Sequence, residues 1–391
     1  MRDRIRVLVV LVLLSASVGC ESEVPIPKSE RRDSAGIEIV EAASPQWADG
    51  DGWRVDSLPR WKPSGQGSEY EFAQITDATV LGDGQIVVLN EGTHQVRFYD
   101  SEGRFLNQMG REGEGPGDFS RLTNVWEFRG DSVLVFDFWL RRASVLDRSG
   151  TLGRVITLPP ELQVDELYSV TAEYFVAKTW SLEEFYAQEG AYRAQYLVYG
   201  IDPQGQILDS IAVLQGWNGF KVNREDGSYS DIRPLIIVDG HMAANGHGIV
   251  MSSGDVPEML RYSAGGQLEQ IVRMPSLSVP LEIEDIQGER AWLDRPQAPN
   301  WFRQAVRDMP VPEHRPAHGD LLLDSEGFIW AARYWSPRLE ADEPVRWDIF
   351  DPSGTWLGTL NTPERFTVLE VGRDYVLGVR RNDLDVEEIE L

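Results

Sequence analysis

Cysteine is almost missing from this chain: Cys20 stands alone among 391 residues, so no disulfide can form within it and stability must come from packing. Histidine is nearly as scarce, at five residues, and Pro316 interrupts the one suggestive pair, His314 and His318, which has no Glu-bearing zinc motif around it. Positive charge is in short supply too, with 37 Lys and Arg against 63 Asp and Glu, a net charge of −26. Such a surface repels phosphate backbones, which argues against nucleic acid as a partner. No Gly-x-Ser-x-Gly elbow occurs, so nucleophilic hydrolysis has no support in the sequence. The glycine-rich stretch 110–119 (GREGEGPGDF) lacks the Gly-Lys-Ser/Thr ending of a phosphate loop, and its Glu112, Glu114 and Asp118 would repel phosphate.

Long apolar runs are absent as well. The run at residues 7–14 falls short of the ~20 residues that a spanning helix needs. It follows Arg2, Arg4 and Arg6 and leads into small residues, which predicts a signal peptide over 1–19. Ser17, Val18, Gly19 and Cys20 resemble the lipobox of bacterial lipoproteins, which implies lipidation at Cys20. Residues 20–33 carry two prolines and many charges, and are expected to form a lipidated, flexible tether. The resemblance implies a place in the bacterial cell envelope. Glu21 after the cysteine points to the outer membrane, with the domain facing the periplasm or the exterior and held only by its lipid anchor.

What is abundant is repetition. Six times a short turn leads into an apolar strand, and the six strands end on Asn90, Asp137, Thr179, Ser252, Arg333 and Arg380. Five turns of Asp-x-x-Gly type follow, beginning at Asp100, Asp147, Asp202, Ser263 and Asp351. Short Val-, Ile- and aromatic-rich strands between such turns predict antiparallel four-stranded meanders. Closed into a ring, they give an all-β, six-bladed β-propeller over residues 34–391. The sixth repeat is one strand short, so an N-terminal strand, 37–41 (IEIVE) or 53–58 (WRVDSL), is expected to close the ring against 386–389.

The segment GREGEGPGDF is similar to the interblade turn of six-bladed β-propellers related to NHL repeats, many of them bacterial lipoproteins, and 33–41 (DSAGIEIVE) resembles the start of such chains. The resemblance implies fold rather than activity.

Two stretches, 216–239 and 275–317, interrupt the repeat and are expected to crowd one face of the ring. Trp301, Phe302, Ala305 and Met309 fall at helical spacing, which predicts one short helical insertion between blades four and five. Just after the repeated strand ends lie Trp139, Arg141, Arg142, Trp180, Arg333, Tyr334, Trp335 and Arg380. These are residue types enriched at binding hot spots, and they would make one side of the ring's mouth cationic. They favour a non-catalytic binding module, expected to act as a monomer without cofactor on a protein, peptide or small-molecule ligand. The competing expectation is a calcium-dependent hydrolase or lactonase, with Asp77, Asn124 and Asp320 as candidate oxygen ligands in the central channel.

Overall fold

The computed structural model describes residues 28–48, 50–181, 189–224, 227–336 and 343–391. The signal peptide and Cys20 lie outside them. An N-terminal hairpin, β1 (Ser29–Ser34) and β2 (Ile37–Ala42), precedes the ring. Blade one consists of β3 (Ile75–Val80), β4 (Ile86–Asn90), β5 (Gln95–Tyr99) and β6 (Phe105–Met109). Blade two consists of β7 (Leu122–Phe128), β8 (Ser132–Asp137), β9 (Arg142–Asp147) and β10 (Leu152–Thr157). Blade three has five strands, β11 (Val164–Thr171), β12 (Tyr174–Trp180), β13 (Gly190–Ile201), β14 (Ile207–Asn223) and β15 (Tyr229–Ile232). Blade four is β16 (His241–Asn245), β17 (Gly248–Ser252), β18 (Glu258–Tyr262) and β19 (Leu268–Arg273). Two helices follow it, α1 (Ile283–Leu293) and α2 (Asn300–Asp308). Blade five is β20 (His318–Leu323), β21 (Ile329–Arg333), β22 (Arg346–Phe350) and β23 (Trp356–Asn361). Blade six stops at β24 (Phe366–Val371), β25 (Val376–Arg381) and β26 (Glu387–Glu390).

The second strand of each blade is covered by sheets on both sides, which is why β4 and β17 are buried at every position. A strand of that kind reads as a continuous apolar run rather than as an alternation. Six clusters of apolar side chains fill the six gaps between consecutive blades. The last of them joins Leu377, Val379 and Ile389 of blade six to Ala78, Ile86 and Val88 of blade one, and this core closes the circle.

The closing strand is not where the sequence placed it. Residues 37–41 lie in β2, which pairs in parallel with β19 on the outer edge of blade four. Residues 53–58 form no strand; Val55 packs on blade five, and Trp53 lies 5.1 Å from the ring of Phe328. The two ends of the domain meet instead where Trp61 and Leu391 exchange backbone hydrogen bonds, at 3.0 Å in both directions. Alternation specifies a strand, but any edge can satisfy it, so the partner was not written locally. Residues 29–33, expected in the tether, form most of β1.

From β2 onward, the chain before blade one runs as a belt around the outside. Gln46 and Trp47 bond to Trp356 and Leu357 of blade five, Trp61 to Leu391 of blade six, and Ser64 to Gly103 of blade one. No described helix is long and apolar enough to cross a membrane.

Candidate functional site

Each inner strand begins opposite the end of the second strand: Ile75 pairs with Asn90, Leu122 with Asp137, Val164 with Thr179, His241 with Ser252, His318 with Arg333 and Phe366 with Arg380. The six repeated strand ends therefore ring one face. Most of them are committed to holding the ring itself. Asn90, fully buried, accepts the amide of Ala73 at 2.8 Å. Asp137, equally buried, accepts the amides of Ser120 (2.7 Å) and Leu140 (2.9 Å).

The arginines follow the same logic. Arg333 forks onto Asp348, with Nε at 2.9 Å and Nη2 at 3.0 Å, and Asp348 has no exposed side-chain surface. Arg380 Nε donates to Glu390 at 2.7 Å. Arg142 reaches back to the carbonyls of Glu114, Gly115 and Asp118, clamping the glycine-rich interblade turn. Arg141 is half-buried in a left-handed turn conformation. The cationic mouth expected from Arg333 and Arg380 is thus neutralised by carboxylates on neighbouring strands of the same blades.

The aromatic residues divide between solvent and packing. Trp139 is 64% exposed against Phe138, and Trp180 sits at the outer end of β12, partly open. Tyr334 packs into a cap built by both insertions: β14, β15 and residues 232–238 of blade three bury Ile232, Leu235 and Ile236 against Leu293, Val306 and Met309 of the helical segment. The one expected helix is two. Asp294, just after α1, receives Arg303 (2.6 Å) and Arg307 (3.2 Å) from α2, and the hydrogen bond from Arg303 leads in holding its carboxyl below the usual range. Trp335, next in sequence to Tyr334, turns the other way and walls the channel.

There, between blades three, four, five and six, a cavity of about 250 Å³ opens. Of its charged groups Asp320 is the one the sequence placed in the channel; Glu166, Lys178 and His241 join it from inner and second strands of other blades. Lys178 of β12 lies between Glu166 (2.7 Å) and Asp165 (3.1 Å) and over the Tyr196 ring at 4.5 Å. Burial alone would weaken its hold on the proton; Glu166 and Asp165 outweigh that and hold the ammonium above the ordinary lysine value. His241 of β16 faces Asp320 of β20 at 3.2 Å. Burial pushes Asp320 up, but the His241 hydrogen bond and the nearby charges of His241 and Lys178 carry it below the usual carboxylate range. Tyr168 donates to the Met242 carbonyl at 2.7 Å and also contacts Glu166. One sign was present in the chain: Lys178 is a lone cation inside the apolar run of β12, which needs a carboxylate nearby.

Asp77, Asn124 and Glu166 stand at the same ring position, each just past a bulge in its inner strand, and Asp320 lies within the corresponding bulge of β20. Asp77 accepts the amides of Ala78 and Val125, both at 2.9 Å, and burial pushes its carboxyl up to about 8 against those two bonds. Among the described residues no group of three or more His, Cys, Asp and Glu is placed to hold a metal ion.

No protein-family model matches the chain, and no curated protein matches it in sequence. Solved structures similar in shape include a candidate exported protein from Bacteroides fragilis, 10% identical over 86% of this chain and 96% of that one, with a TM-score of 0.49. The calcium-binding protein regucalcin from Agrobacterium tumefaciens is 13% identical over 83% and 91%, with a TM-score of 0.40. Virginiamycin B lyase from Staphylococcus aureus is 8% identical over 85% and 87%, with a TM-score of 0.38.

Proposed function

We propose that the protein is a non-catalytic binding module, tethered to the bacterial envelope through a lipid on Cys20, that takes its ligand at the capped face of the ring. The observation that supports this reading most is the lumenal cavity, whose wall residue Trp335 adjoins Tyr334 in the cap. A ligand entering the channel would touch the element that the insertions hold in place. Apolar and aromatic walls with a few converging polar groups are the usual make-up of such sites. Trp139 and Trp180, exposed on the same face, would supply the surface for anything larger.

Two measurements test it. The protein is isolated from its native envelope, retained molecules are identified, and their affinity is remeasured by calorimetry with purified wild type and with Trp335→Ala. Affinity unchanged by Trp335→Ala would remove the capped channel as the site. Separately, Cys20→Ala should move the protein from the membrane to the soluble fraction, and persistence on the membrane would refute the anchor.

A further inference from the structure

We infer that the lumenal cavity selects a small organic ammonium ion bearing a hydrogen-bond acceptor, the chemistry of an amino alcohol, with Asp320 as its counter-charge. This rests on reading the capped channel as the binding site.

The charge that reaches the lumen is mostly negative. The Asp320 side chain is 63% exposed into it and Glu166 36%, whereas Lys178 shows 5% and His241 23%. Asp320 is one of the residues that line the cavity, so a guest there meets its carboxylate. Both nitrogen groups already have partners, Lys178 in Glu166 and Asp165, and His241 in Oδ1 of Asp320. Among the described residues the other oxygen, Oδ2, has no hydrogen-bond partner. A guest cation would complete it.

The walls suit the same guest. Tyr168, Trp335, Trp347 and Phe366 line the cavity, and aromatic faces attract ammonium groups most strongly where water is excluded. Trp347 is 4% exposed and its indole Nε1 is without a partner among the described residues, a buried donor that an acceptor on the ligand would satisfy. An anion would meet Asp320 and Glu166, and a bare divalent ion would find too few convergent ligands. At about 250 Å³ the space lies below the range of roughly 300 to 1,000 Å³ that drug-sized ligands occupy, which fits a small amine.

Calorimetry with the whole protein decides the matter, using choline, ethanolamine, calcium chloride and 3,3-dimethylbutan-1-ol, the uncharged isostere of choline. Choline should bind, the isostere about tenfold more weakly or worse, and Asp320→Asn should lose a similar factor for choline. Equal binding of choline and isostere, no binding of either amine, or calcium binding more tightly than both amines would overturn the inference. Should Asp320→Asn fail to fold, the comparison of choline with its isostere on wild type gives the answer alone. If Trp335→Ala releases the natively retained ligand while the amines do not bind, the ligand class is wrong and the binding face stands.

Discussion

Arg333 shows how a side chain can be right in place and different in role. The sequence marked it by its position at a strand end, but no local pattern announced Asp348, which arrives from the next strand. Removing the arginine alone strips a fully buried carboxylate of its ion-pair partner and leaves it only the charge of Arg346 and the Trp356 side chain, so Arg333→Met should lower unfolding free energy by about 3 kcal/mol. Arg333→Met with Asp348→Leu should recover most of that loss, as urea denaturation will show. His318 makes a contrasting case. It is 1% exposed, both ring nitrogens lack partners among the described residues, and burial, with Arg333 and His241 nearby, drives its pKa down to about 3. The unfolded chain therefore binds a proton that the folded state refuses between about pH 6.5 and 3. Stability present above that window is lost as pH falls, at up to about 1.4 kcal/mol per pH unit from this residue. His318→Phe should flatten that slope between pH 6.5 and 4; an unchanged slope would acquit the histidine.

Among the elements, those that depend on their own residues were legible and those that depend on a partner were not. In the Asp-x-x-Gly turns, Asp100, Asp147, Asp202 and Asp351 each accept two following amides through Oδ1, and the glycine closes the turn with positive φ. That chemistry is local, so the turns could be read directly. Gly205→Ala should cost about 1–3 kcal/mol, because a side chain there would strain φ +81° and stand 2.6 Å from the Thr157 carbonyl. Gly130→Ala, also at positive φ but in open space, should cost no more than about 1 kcal/mol, and thermal melts of the two will separate strain from collision. The second helix was visible because Trp301, Phe302, Ala305 and Met309 share a face; α1 carries Gly288 at its middle and no such stripe. Asp320 was legible as a channel residue, but its meeting with Lys178 and His241 was not, because the three come from different blades.

For the molecule as a whole, the ring could be counted from the chain, whereas its fastening could not. Six interblade cores follow from strand hydrophobicity alone, but the belt depends on which edges remain open after the blades form. Deleting residues 28–45 should leave the six blades standing and expose the edge of β19 with Met274 and Trp356 beneath it. The expected outcome is a folded ring by circular dichroism that self-associates in size-exclusion chromatography. A truncated protein that stays monomeric would show that β2 is dispensable as an edge cover.

The belt also sets an order of events. During synthesis β2 emerges long before β19, and Trp61 long before Leu391, so each must wait for a partner made much later. Blades of neighbouring strands can assemble early, since their contacts are local, while the belt settles only when a completed ring offers it an edge. Fastening is then a late and separable kinetic step. A slow refolding phase reported by Trp61 and abolished by removing Leu391 would mark it.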